Sequence, residues 1–125
     1  MKKGFTLVEV LGVIIILGLL ILITTASYDT IVKKTRQDAY KRQVNTIIQV
    51  SKDWTLKHID SLNKEENRKN ILLISTLLEE HYLESQEILN PITEENMGGC
   101  IIITWNSSYL QFDYEYEEDI NLCTN

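Results

Sequence analysis

The chain divides by its pattern of apolar and polar positions before any other property is considered. From Val10 to Ile23 it reads VLGVIIILGLLILI, with no polar side chain. Extended back to Phe5, the run is broken only by Thr6 and Glu9. As a helix it would span roughly 28 Å, close to the hydrocarbon thickness of a bilayer. No glycine follows until Gly98 and the single proline is Pro91, so nothing in between compels a helix to stop. Val44, Ile47, Ser51, Trp54 and His58 recur at helical spacing, flanked by Ile48, Ile59 and Leu62, with Lys41, Arg42, Lys52, Asp53, Lys57 and Asp60 opposite. This predicts one amphipathic helix over 29–62. A polar connector, 63–70, leads to a predicted short helix over 71–80 with Asn70 as its cap. Cys100–Trp105 and Tyr109–Tyr116 read as a hairpin around Asn106-Ser107-Ser108. In its second strand Leu110, Phe112, Tyr114 and Tyr116 alternate with polar residues, and 120–125 is a candidate edge strand.

Three readings compete for the first two dozen residues. A secretory signal peptide would use Lys2-Lys3, the apolar run and a small-residue cleavage site at Thr24-Thr25-Ala26. An ordinary signal anchor would simply remain in the membrane. Neither accounts for a carboxylate at Glu9, costly in an apolar stretch, or for the Gly4-Phe5 step that precedes it. The stretch Lys2-Lys3-Gly4-Phe5-Thr6-Leu7-Val8-Glu9-Val10 resembles the leader of type IV prepilins and related pseudopilins, and Gly18 also matches. The resemblance implies cleavage between Gly4 and Phe5 by a membrane-embedded prepilin peptidase, then N-methylation of Phe5. It also implies an assembly role for Glu9, whose carboxylate would meet the α-amine of a neighbouring subunit and set register. Many family members carry a proline where Ala26 stands, so the stem here lacks that source of a kink.

Charge sharpens this division. The formal total of −6 conceals a segment 1–28 at +1, a segment 29–70 with ten bases and six acids, and a segment 71–125 with eleven acids and neither Lys nor Arg. An acidic distal half disfavours nucleic-acid contact by the head, since phosphate neutralisation requires cations. With 44% hydrophobic residues the chain is also unlike a disordered one. The basic segment is placed to meet anionic headgroups and neighbouring acidic heads.

Little else in the chain points to chemistry. Cys100 and Cys123 are the only cysteines. They admit a disulfide tying down the C-terminal tail, as in many pilins, or two buried thiols. Two separated histidines, His58 and His81, and no Cys-x-x-Cys argue against a metal site. The run Glu115, Glu117, Glu118, Asp119 lacks the spacing of a calcium loop and reads as a solvated edge. Trp54 and Trp105 read as core residues. No nucleophile elbow or phosphate loop is present, so neither catalysis nor a cofactor is expected.

The expected architecture is therefore α+β and pilin-like, a long N-terminal helix, half membrane and half amphipathic, packed against a small antiparallel sheet. Its divisions would be a leader at 1–4, a transmembrane and assembly helix at 5–28, a stem at 29–62 and a head at 63–125. The resemblance implies a structural filament subunit rather than an enzyme, leaning to a minor pilin or a competence or secretion pseudopilin. The alternatives are the major pilin of a thin filament, or a secreted or membrane-anchored binding module with an ordinary signal sequence. Implied partners are a prepilin peptidase, like or related pilin subunits, an assembly ATPase, an inner-membrane platform protein and the membrane itself. The implied location is the cytoplasmic membrane as a single-pass protein, then an extracellular filament or the cell surface.

Overall fold

A computed structural model describes residues 4–124, so the Lys2-Lys3 part of the leader and the terminal Asn125 lie outside the described residues. Helix α1 (Leu7–Lys57) is followed by β1 (Lys69–Leu73), α2 (Ile74–Glu79), β2 (Cys100–Asn106) and β3 (Gln111–Glu117). Short 3₁₀ turns occupy Ile59–Ser61, Ser85–Ile88 and Ile120–Leu122. The chain separates into two compact units, Met1–Arg36 and Gln37–Asn125. The first, where described, is helical from Leu7 onward, and its helix runs through Ala26, whose side chain lies outside the described residues.

The second unit has its own core. Its sheet is antiparallel in the order β1-β2-β3. Register places Leu72, Ile101 and Tyr116 in one row and Asn70, Ile103 and Tyr114 in the next, on the face turned to the core. The α1 residue Ile47 joins Leu72, Ile74, Leu77, Leu83, Ile88, Met97, Ile101 and Ile103 there, with Tyr40, Val44 and Trp54 packed around it. Along α1 the deepest positions are Ile47, Ser51 and Thr55. Thr55 was not expected on the buried stripe. Its hydroxyl donates to the Ser51 carbonyl at 2.8 Å, as that of Ser51 does to the Ile47 carbonyl at 2.7 Å. Two small, self-satisfied residues thus let the helix approach the sheet without stranding a polar group. Trp54 and Trp105, expected in the core, are only half-buried. Trp54 donates to Glu80 at 2.7 Å and stacks on His58, while Trp105 meets Phe112 edge-on.

Four expectations require correction. The amphipathic helix ends at Lys57 rather than at residue 62, because His58 leaves helical geometry. The His58 ring nitrogen Nδ1 lies 2.9 Å from the Trp54 carbonyl, and Ser61 N–H donates to His58 O, converting the end into a 3₁₀ turn. The helix expected over 71–80 begins only at Ile74, since Ile71–Leu73 belong to β1 and close the edge of β2. Asn70 caps nothing; its amide accepts from Asn63 N–H at 2.8 Å and donates to Asn63 O at 3.0 Å, pinning the connector. The second hairpin strand starts at Gln111, leaving Tyr109 and Leu110 exposed in the turn, Leu110 at φ +53°. Asn106 holds that turn by accepting from Ser108 N–H at 3.1 Å.

The tail is the fourth. Ile120–Leu122 form a 3₁₀ turn capped by the Asp119 carboxylate, not an edge strand. Cys123 is joined to Cys100 in a disulfide. Cys100 shares its row with Leu73 and Glu117 on the outer face of the sheet, so the bond holds the tail against that face. Where β2 begins, Gly99 has φ +88° and a Cβ there would fall 2.0 Å from the Glu117 carbonyl, so only glycine fits.

Candidate functional site

In the first unit every large apolar residue from Leu7 to Ile23 is exposed, between 44% and 77%. The helix that carries them is long and apolar enough to cross a membrane. In water such a surface would be a severe liability, since apolar area costs about 25 cal/mol per Å² exposed. A lipid environment or close-packed copies would remove that cost.

Gly4, Phe5 and Thr6 precede the helix in non-helical backbone. A Cβ at Gly4 would meet nothing within 4 Å, and Phe5 is 86% exposed. The Gly4–Phe5 bond therefore lies outside the helix beside an exposed side chain. Thr6 then starts the helix. Its hydroxyl accepts from Glu9 N–H at 3.3 Å, and Glu9 Oε2 accepts from Thr6 N–H at 3.2 Å. This reciprocal pair is a capping box, which satisfies two of the helix's orphan donors. It also sets a carboxylate in the first turn, where the helix dipole favours negative charge. Phe5, Glu9, Val10, Val13 and Ile14 line a shallow cleft of about 320 Å³ on one flank of the helix. Glu9 is thus the single ionisable group within an apolar surface.

Thr6 is the residue that the sequence reading passed over. Its signal was present as Thr6-x-x-Glu9 directly before an apolar run. The cost of a carboxylate in an apolar segment singles out Glu9 but says nothing of the threonine that holds it.

The remaining candidates do not gather into a reactive site. Cys100 and Cys123 are consumed in their bond. His58 is stacked on Trp54, and His81 is an exposed turn residue at φ +60°. Asp119 caps the last turn, and Glu117 accepts from Asp119 N–H. Among the described residues, no three of His, Cys, Asp and Glu are placed to hold a metal ion. Tyr116 donates to Gly98 O at 2.7 Å, and its phenol is raised well above its usual range, by burial first and then by Glu118, Tyr40 and Glu117. Burial also raises Tyr114, opposed by a hydrogen bond with Thr55.

Residues 1–25 match the family model of the prokaryotic N-terminal methylation motif. No curated protein and no solved structure matches the chain.

Proposed function

We propose, from the premise that this is a type IV pilin-like protein carrying the methylation motif of pilins and pseudopilins at residues 1–25, that it is a subunit polymerised through its N-terminal helix. A prepilin peptidase would cut between Gly4 and Phe5, and Phe5 would then be N-methylated. Cleavage creates an α-amine four residues before Glu9, a cation that needs a counter-charge at membrane depth. The carboxylate accepts at two oxygens, so holding Thr6 N–H still leaves capacity for the amine of an adjacent subunit. An unpaired carboxylate in the bilayer costs about 3 kcal/mol. Pairing is therefore satisfied at one axial offset between neighbours and lost at others, which sets register.

The observation that carries this reading is the accessible Gly4-Phe5 step joined to a capped helix whose exposed apolar run, up to Ile23, holds Glu9 as its one charge. Within the family we favour a minor pilin or a competence or secretion pseudopilin, on the grounds of a three-stranded sheet and a small head. The subunit would reside in the cytoplasmic membrane before assembly and in a filament afterwards. Other pilin subunits, an assembly ATPase and a platform protein would be its partners.

Sequencing the mature N-terminus tests the reading directly. Methyl-phenylalanine at Phe5 is the expected result, whereas a chain beginning near Ser27 would identify a conventional signal peptide. Glu9→Leu should be processed normally but fail to enter filaments; normal assembly of that variant would remove the register role. Quantifying the chain in sheared filaments separates the subtypes, since a minor subunit is present far below the main one.

A further inference from the structure

One edge of the sheet is open, and the phase of its hydrogen bonds shows which groups it offers. Ile74 N–H donates to Gly99 O at 3.1 Å. Bonding alternates along antiparallel strands, so Ile101 and Ile103 turn their backbone groups to β1, while Ile102 and Thr104 turn theirs to β3. That engages their partners Glu115 and Asp113, and it leaves the N–H and C=O groups of Phe112, Tyr114 and Tyr116 pointing outward. Because β3 is last in the order β1-β2-β3, these groups have no strand partner among the described residues. An open edge of this kind is a template for one more strand.

The two faces beside that edge differ in chemistry. On the inner face an open groove of about 520 Å³ lies between the end of α1 and β3, lined by Ile48, Lys52, Leu56, Ile59, Phe112 and Tyr114. Leu56 is 70% exposed there, although its helix packs on the sheet. Lys52 holds its Nζ 5.7 Å from the Tyr114 ring centroid, so this face accepts apolar side chains and repels cations. On the outer face Asp113 and Glu115 are exposed, and beside them on β2 stand Thr104 and Ile102, neither a cation. Asp113 accepts from the Asn106 and Gln111 amides, but among the described residues no ion pair neutralises either acid. A strand added to β3 therefore meets apolar surface on one side and carboxylates on the other.

We propose that the β3 edge takes up, by strand addition, an extended segment of a different protein, about six residues long, in which apolar residues alternate with lysine or arginine. Its backbone pairs with Phe112, Tyr114 and Tyr116, its apolar side chains enter the groove, and its cations meet Asp113 and Glu115. A second copy of this chain fits poorly. Its β3 would oppose these acids with the same acids, and like charges directly opposed are destabilising. Its β1, the other edge, carries Lys69 as its one cation, followed on the same face by Ile71 and Leu73. The site lies wholly within the second unit, so it does not depend on processing between Gly4 and Phe5.

Titrating the full chain in phosphatidylcholine nanodiscs with the peptide acetyl-Val-Lys-Val-Lys-Val-Lys-amide, against empty nanodiscs as blank, tests the site. We expect this peptide to bind about tenfold more tightly than its Val-Glu counterpart. Hydrogen exchange at the Phe112, Tyr114 and Tyr116 amides should slow when it binds. N-methylating one alternate set of the peptide's amides should weaken binding about tenfold, and the other set should have no effect, because only one set faces β3. Glu115→Lys should weaken the Val-Lys peptide about tenfold and strengthen the Val-Glu peptide. Leu56→Ser, which leaves the charges alone, should weaken the Val-Lys peptide about threefold. Equal binding of both peptides, exchange slowed elsewhere, or indifference to both N-methylated sets would overturn the assignment. So would slowing of the same three amides as protein concentration rises without peptide, which would give the edge to a second copy.

Discussion

Ile15 and Ile103 are the same residue type under opposite conditions. Ile15, in the first unit, is 63% exposed, while Ile103 in β2 has no exposed surface. The apolar side chains of the first unit are external and stabilise nothing within the described chain. Those of the second unit are removed from water by β1, β2, α1 and α2 together. One unit must therefore obtain its solvent-free environment from lipid or from other subunits, and the other makes its own. That difference is what a membrane-borne subunit with a folded head requires, and it turns each region into a control for the other.

Placing a carboxylate at each isoleucine gives the largest expected contrast. Ile103→Asp should unfold the head, costing about 4 kcal/mol or more, because the charge has no partner in the core. Ile15→Asp should leave head stability unchanged and weaken membrane residence by about 3 kcal/mol. Urea unfolding followed by tryptophan fluorescence, beside fractionation of membranes, separates the two. A head destabilised by the Ile15 variant would mean that the units are not independent.

Reducing the Cys100–Cys123 bond should be next in size. Closing a loop over a separation of 23 residues contributes about 3 kcal/mol. Reduction should lower the melting temperature of the head while leaving the helical signal of the first unit intact. It should also speed hydrogen exchange at Ile102, which lies two residues along β2 from the bonded Cys100 and faces the same side of the sheet.

The smallest effect concerns alkaline pH. Tyr116 is held protonated in the folded head, chiefly by burial and then by neighbouring acids. A raised folded-state pKa gives stability that is complete below the unfolded value near 10 and lost as pH rises beyond it. Head stability should thus fall above about pH 10, and Tyr116→Phe should make that fall shallower. The first unit should show no corresponding change in helicity.

How much of this was legible depended on whether a residue's environment is local. The Gly4-Phe5 step, Glu9 and the apolar run are all defined by neighbours along the chain, and the methylation motif covers the same stretch. Phe112, Tyr114 and Tyr116 alternate with polar residues, so the hairpin's second strand could be read from period alone. Ile71-Leu72-Leu73 could not, because a short apolar run fits strand and helix equally. It became a strand where β2 offered an unpaired edge. Leu110 was misplaced for the opposite reason, since a leucine with positive φ contradicts local preference and is held there by the turn around it.

Sequence alone determined what is continuous in the chain: the methylation motif, the membrane-length helix, the segregation of charge and the hairpin's inner face. Each rests on spacing or on interactions within a turn or two, including the Thr6–Glu9 capping box once its pattern is noticed. Tertiary structure decided what depends on distant partners. It chose β1 rather than a longer α2, put Thr55 rather than Trp54 at the bottom of the helix contact, and fastened the tail across the outer face instead of along an edge. In each case the free energy comes from pairing a backbone edge, burying a side chain or closing a disulfide with residues tens of positions away, and no local pattern encodes such a partner.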